Sequence, residues 1–101
     1  MTLEELQALG AFANPAPQMR KLKLGDKELE VGVEEIPFIE AVRLRGDKEL
    51  HEFYPLLIAR CIHFADGKRM TVEQACKLNK NAMKAFLDII GEVNGADPND
   101  E

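Results

Sequence analysis

Residues 59–71 read ARCIHFADGKRMT, and they set how the second half of the chain folds. The residues before this segment have apolar side chains at every third or fourth position, which is the spacing of a helix. Asp66 and Gly67 form a dipeptide that is typical of turns. Thr71 is followed three positions later by Gln74, and this pair has the spacing of a capping box at the start of a helix. The segment therefore predicts a corner between two helices.

The helix before this corner is the clearest element in the sequence. Its apolar face consists of Leu50, Phe53, Tyr54, Leu57, Ile58, Cys61 and Ile62. Pro55 lies inside this helix and has no backbone N–H to donate. We therefore expect a kink, or a division into two pieces, near Tyr54.

The chain after the corner also has helical spacing, and it continues to Gly95. Its apolar residues are Val72, Ala75, Cys76, Ala82, Met83, Phe86, Ile89, Ile90 and Val93. Asn79, Lys80 and Asn81 interrupt this apolar face. Either Asn81 caps a second helix, or one long helix carries Asn79 on its apolar side; we favour the break.

The first half of the chain predicts a helix, a hairpin and a second helix. Thr2 can cap a first helix that ends at the proline-rich residues 14–17. Two alternating segments on either side of the Gly25-Asp26 turn then predict a β-hairpin, with lysines on one strand facing glutamates on the other. Residues 35–45 read as a short helix, with Pro37 at its first position and Gly46 at its end; an extension of the hairpin by the same apolar residues is the alternative.

Together these patterns predict an α+β fold that is mainly α. It consists of an N-terminal helix, a small β-hairpin and three to four short amphipathic helices. We divide the chain into an N-terminal helical arm (residues 1–17), a main domain (18–95) and an acidic tail (96–101) that we expect to be disordered.

Composition restricts the classes of function. The chain has 101 residues, a formal net charge of −5 and an apolar content of 46%, which suit one globular domain. The negative charge argues against nucleic-acid binding, which depends on lysine and arginine contacts to phosphates. No apolar run approaches the ~18 residues of a membrane span, and the first residues do not resemble a signal peptide. We expect a cytosolic protein with reduced thiols.

The candidate ligands and nucleophiles do not form a convincing reactive site. His51, Cys61, His63 and Cys76 are suitable zinc ligands, but Cys61 and His63 at i and i+2 on a helix point about 200° apart. Both cysteines lie on apolar faces, so we expect unreactive core thiols and a surface histidine. No P-loop, dinucleotide-binding turn or metalloprotease motif is present. We predict no metal, no cofactor and no enzymatic activity, and we interpret Lys68 and Arg69 as solvated charges.

The N-terminal helix is the best candidate for contact with a partner. Its apolar residues do not form one stripe, because each lies further around the helix axis than the one before. They are Leu3, Leu6, Leu9 and Phe12. These four residues are the least well explained as core, and we predict that they bind a partner protein.

The order of these elements resembles the tail assembly chaperones of long-tailed bacteriophages. The resemblance covers residues 19–95, and its best-matching parts are Leu56-Leu57-Ile58, Asp66-Gly67-Lys68-Arg69 and Thr71. It implies a non-structural protein of the host cytoplasm, absent from the mature virion. Such proteins bind the tape measure protein, a long and largely helical chain, keep it soluble and help recruit tail tube protein. Self-association is a further expectation.

Two other functions are alternatives to the chaperone. One is a small regulatory adaptor that binds a host or phage protein, and the other is a minor structural component of the tail. A tape measure gene directly downstream would favour the chaperone. Detection of the protein in purified virions would favour the structural component.

Overall fold

The computed structural model describes residues 1–95, which form five helices and one three-stranded antiparallel sheet. This confirms the predicted fold class, with a helix at the N-terminus, a hairpin and four further helices. The elements are α1 (Leu3–Ala8), β1 (Gln18–Leu24), β2 (Lys27–Val33), α2 (Phe38–Arg45), α3 (Leu50–Cys61), β3 (Ile62–His63), α4 (Val72–Cys76) and α5 (Lys80–Asn94). The tail that we predicted to be disordered lies outside the described residues.

The hairpin forms where the alternating pattern predicts it. Gly25 has a φ of 66° at the turn, a conformation that costs glycine little because it has no Cβ. The register places Lys21 opposite Glu30 and Lys23 opposite Glu28, so the predicted Lys–Glu pairing across the strands is confirmed. The opposite face of the hairpin is buried against the helices.

A third strand, which the sequence did not predict, follows α3 without a loop. Strand β3 pairs with the end of β2, with His63 opposite Gly32 and Ile62 opposite Val33. Two residues are too few to carry a periodic signal, and here they lie at the end of a helical stripe. This short strand turns the chain back along the sheet immediately before the corner at residues 64–71.

The division of α3 at Pro55, one of the two predicted outcomes, does not occur. The helix is assigned without a break from Leu50 to Cys61, and Pro55 is buried inside it. A proline in a helix removes one backbone hydrogen bond but leaves the others in place. Burial of its ring helps offset that loss, so the helix is not divided near Tyr54.

The predicted break between the last two helices is confirmed, but its cap is Asn79 and not Asn81. The side-chain oxygen of Asn79 accepts a hydrogen bond from the backbone N–H of Ala82 at 2.8 Å. This bond satisfies one of the orphan donors at the start of α5. The predicted capping box at Thr71 and Gln74 is also confirmed, with reciprocal hydrogen bonds of 3.1 and 3.0 Å.

The core lies between the sheet and the helices α3 and α5. Helix α5 contributes Phe86, Ile89, Ile90 and Val93, the sheet contributes Leu22, Val31, Val33 and Ile62, and α3 contributes Ile58 and Cys61. The spacing in α5 is that of a single helical face, which explains why its inner side is buried while Lys84 and Asp88 remain exposed.

The side chain of Asn94, at the end of α5, forms hydrogen bonds with the connection between β2 and α2. Its side-chain oxygen accepts from the N–H of Ile36 at 2.8 Å. Its side-chain nitrogen donates to the carbonyl oxygens of Glu34 and Ile90, each at 3.2 Å. These bonds fix where α2 begins relative to α5, and the two helices border the groove described next.

Candidate functional site

An open, largely apolar groove runs between α2, α3 and α5, beside the segment that follows α1. Its volume is about 1280 Å³. Small-molecule pockets usually have volumes of ~300–1,000 Å³, so the groove is larger than most of them. Its apolar lining includes Phe38 and Val42 from α2, Leu57 from α3, and Met83 and Leu87 from α5.

Helix α2 leaves one wall of this groove unusually exposed. No residue of α2 is buried, although the helix contains several large apolar side chains. Phe38 is 75% exposed and Val42 is 47% exposed. These two residues are four positions apart and therefore lie on the same side of the helix, where both line the groove. Full burial of such side chains is worth roughly 1.5–3 kcal/mol each, so a partner that covers them gains appreciable binding free energy.

The charged residues along the groove are mostly cationic. The cations are Arg45, Lys80 and Lys84, and the carboxylates are Glu35 and Asp88. Lys84 pairs with Asp88 one helical turn later at 3.2 Å. The guanidinium of Arg45 lies 5.4 Å from the centre of the Phe53 ring, within the range of a cation–π contact. The net charge of the side chains that line the groove is therefore positive, whereas the formal net charge of the whole chain is −5.

The structure separates the four predicted contact residues into two groups. Phe12 is 51% exposed and lines the groove. Leu3 and Leu9 are 65% and 70% exposed, Leu6 is half-buried, and none of these leucines lines the groove. Their binding of a partner stays a prediction. The groove itself was not predicted from the sequence, because helical spacing identifies the apolar side of α2 but not whether another element covers it.

A cluster of charges is centred on Glu34, the first residue of the β2–α2 connection. Glu34 is only 9% exposed. Its carboxylate oxygens lie 2.8 Å from Arg60 Nη1, 2.9 Å from His63 Nε2 and 3.3 Å from Arg69 Nη2. Arg60 also pairs with Glu40 of α2 through its Nε and Nη2 atoms. The cluster thus links the β2–α2 connection, α2, α3, β3 and the segment that follows β3.

The surroundings of Glu34 favour its ionised form. Burial alone would raise the pKa of this carboxyl, but the contacts with Arg60 and His63 outweigh burial and hold the pKa below its ordinary value of 4.5. His63 Nε2 also lies 3.1 Å from Arg69 Nη2. A carboxylate only accepts hydrogen bonds and a guanidinium only donates them. In a given tautomer, Nε2 can therefore hydrogen-bond to only one of these two neighbours.

The cluster changes the interpretation of the segment at residues 59–71. His63 is not a fully solvated surface histidine, since its side chain is 22% exposed and contacts Glu34. Arg69 is more than a solvated charge because it also reaches Glu34, whereas Lys68 is exposed. These partners lie 29 and 35 positions apart in the sequence, and no local spacing rule connects them.

The two cysteines have different surroundings. Cys61 is fully buried, as predicted, and burial raises the pKa of its thiol to about 12. Cys76 was predicted to be a core thiol, but it is exposed. Helix α4 has only five residues, and it is Ala75, not Cys76, that faces the core. Within residues 1–95, no three His, Cys, Asp or Glu side chains are grouped in a way that would hold a metal ion.

Residues 1–95 contain no helix with the length and apolar character needed to cross a membrane. Comparisons of this chain with protein-family models, with curated proteins and with solved structures found no match.

Proposed function

We propose that this chain is a tail assembly chaperone of a long-tailed bacteriophage and that its groove binds helical segments of the tape measure protein. The observation that carries the proposal is the apolar groove, with Phe38 and Val42 exposed on one wall. The order of elements that resembles this family is the second support. In this function the chain acts in the host cytoplasm, helps recruit tail tube protein and is absent from the mature virion.

The physical basis is the binding of an amphipathic helix in an apolar groove. Such a helix presents anchors at positions i, i+3, i+4 and i+7, which fill a groove between helices. A long helical client exposes many apolar stripes before assembly, and covering them prevents aggregation. The net charge of −5 on the chaperone helps to keep the complex in solution.

The direct test is to sequence the genes next to the gene for this chain and to co-express the chain with the tape measure gene that the proposal expects there. We expect a soluble complex that co-purifies, whereas the tape measure protein expressed alone is insoluble. Mass spectrometry of purified virions should find no copies of the chain. Unchanged insolubility of the tape measure protein, with no complex recovered, would refute the proposal.

A matched pair of valine substitutions locates the binding surface. Val42 and Val72 are both on helices and are 47% and 42% exposed, but only Val42 lines the groove. Val42→Ser should weaken binding about five-fold, because it removes about 1 kcal/mol of apolar burial, and Phe38→Ser should weaken it more. Val72→Ser should leave the affinity unchanged. Equal effects of Val42→Ser and Val72→Ser would place the binding surface elsewhere.

A further inference from the structure

We infer that the groove selects an acidic amphipathic helix of a partner protein, whose carboxylates lie against the cations at one end of the groove. This preference rests on the proposed function, because it concerns the same groove and specifies the kind of segment that binds there. The contacts and charges of the groove's own side chains carry it.

The walls of the groove favour a helix over an extended segment as the occupant. Helices α2, α3 and α5 form these walls, and the backbone groups inside a helix are already hydrogen-bonded to one another. An extended segment would bury backbone N–H and C=O groups that the walls cannot satisfy. A helical segment satisfies its own backbone, and the ~22 Å length of the 15-residue α5 matches about four turns of such a helix.

The two ends of the groove carry opposite charges. Asn94, the last residue of α5, bonds to Ile36 just before α2 begins, so the end of α5 and the start of α2 lie together. Both helices line the groove along their length, which places the start of α5 and the end of α2 toward its opposite end. Glu35 therefore lies at the joined end, whereas Arg45 and Lys80 lie at the far end.

The cations at the far end are not neutralised by carboxylates within residues 1–95. In this part of the chain Lys80 is exposed and has no ion-pair partner. Arg45 donates to the backbone oxygen of Lys48 at 2.9 Å and lies 5.4 Å from the centre of the Phe53 ring, and neither of these groups is an anion. Carboxylates of a partner are therefore the groups that complement this end of the groove.

The apolar lining and the cations together define what the partner helix presents. Apolar side chains at positions i, i+3, i+4 and i+7 fill the groove, and glutamates or aspartates beside this stripe meet Arg45 and Lys80. A helix without acidic residues would take water from these cations and give them no partner, which weakens binding. A basic helix would be repelled by them.

Two synthetic peptides of about 18 residues, or five helical turns, test this preference. Both carry the same leucine stripe, and the residues beside it are glutamates in one peptide and lysines in the other, which have similar helix propensities. Binding is measured by fluorescence anisotropy in ~0.15 M salt, which limits the long-range effect of the chain's net charge of −5. We expect the glutamate peptide to bind roughly fivefold more tightly than the lysine peptide.

A matched pair of charge reversals locates the contact. Lys80→Glu and Lys77→Glu change the net charge equally, and both residues are exposed, but only Lys80 lines the groove. A glutamate in the first turn of a helix is favourable, so Lys80→Glu should fold normally. We expect Lys80→Glu to abolish or reverse the preference for the glutamate peptide and Lys77→Glu to retain it.

The inference is overturned if neither peptide binds, if the wild type does not prefer the glutamate peptide, or if the two reversals act equally. It is also overturned if the chain alone is a dimer that Val42→Ser separates, since the occupant of the groove would then be a second copy. Co-expression with the tape measure gene judges the chaperone proposal separately. A soluble complex formed by a chain that shows no preference between the peptides would refute only the acidic preference.

Discussion

Replacement of Glu34 by glutamine tests whether the charge cluster holds the fold together. Glu34→Gln keeps the size of the side chain but replaces one acceptor oxygen with an amide that donates hydrogen bonds. That amide must face Arg60 on one side or His63 and Arg69 on the other, and both guanidinium groups present only donors to it. The substitution therefore removes the negative charge that contacts Arg60, His63 and Arg69.

The expected loss of stability follows from how far the side chains of the cluster are buried. Breaking a fully buried ion pair by removing one partner costs ~3–5 kcal/mol. Here the side chains of Arg60, His63 and Arg69 are 28%, 22% and 42% exposed, and Arg60 keeps Glu40 as a partner. Water and Glu40 compensate part of the loss, so we expect the free energy of unfolding to fall by about 2 kcal/mol. In a domain of this size that is a fall in Tm of roughly 8–16 °C.

Urea unfolding followed by circular dichroism measures this difference, and its pH dependence checks the cause. The folded-state pKa of Glu34 lies below its ordinary value of 4.5, so its contribution is fully present above that pH and is lost as the pH falls through the folded-state pKa. The stability difference between wild type and Glu34→Gln should therefore be constant near neutral pH and shrink in acid.

The matched control is Glu30→Gln, which changes an exposed glutamate on β2, the strand that precedes Glu34. Exposed ion pairs are worth ~0–1 kcal/mol, so this variant should be close to wild type. The reasoning is refuted if Glu34→Gln is no less stable than Glu30→Gln at pH 7. It is also refuted if the stability difference persists undiminished in strong acid.

Two further predictions concern close packing and thiol reactivity. Gly32→Ala should destabilise the fold by about 1–3 kcal/mol in urea, because a Cβ at this position would lie 2.8 Å from Pro17 Cβ. Gly91→Ala, where nothing lies within 4 Å of the added Cβ, should be neutral or stabilising, and a loss as large as that of Gly32→Ala would contradict this packing argument. A thiol reagent at pH 8 should label Cys76 at once and Cys61 only after unfolding, because Cys61 is buried and its thiol pKa is raised to about 12. Rapid labelling of Cys61 in the native protein would show that the core around α3 opens easily.

Much of the fold could be predicted from the sequence because its signals are local. The Thr71–Gln74 pair, the Gly25-Asp26 turn and the apolar spacing of α5 each depend on neighbours within a few positions. The errors also have local causes. Asn79 and Asn81 are equally good caps by residue type, and Pro55 breaks a helix in general but is accommodated where its ring is buried.

The candidate site was much less predictable, because it depends on which surfaces meet. Glu34 and Arg69 are 35 positions apart, so neither residue's neighbours indicate the contact. Phe38 and Val42 have the spacing of an ordinary core face, and only the three-dimensional arrangement leaves them exposed. Leu3, Leu6 and Leu9 were identified as unusual because they do not form one stripe, but spacing alone did not indicate the groove beside the segment that follows α1.

The bonds of Asn94 have a consequence for the chemical ageing of the protein. Asn94 is followed by Gly95, and an asparagine before glycine is prone to deamidation, since the small glycine lets its backbone nitrogen attack the side-chain amide. In the folded chain that amide is held by Ile36, Glu34 and Ile90, which keeps it from turning toward Gly95. Deamidation would leave a carboxylate that cannot donate to the two carbonyl oxygens. Peptide mass mapping should therefore find the modified residue far sooner in chains stored in urea than in chains stored folded. Once formed, it would hinder the return of α5 to its place beside α2.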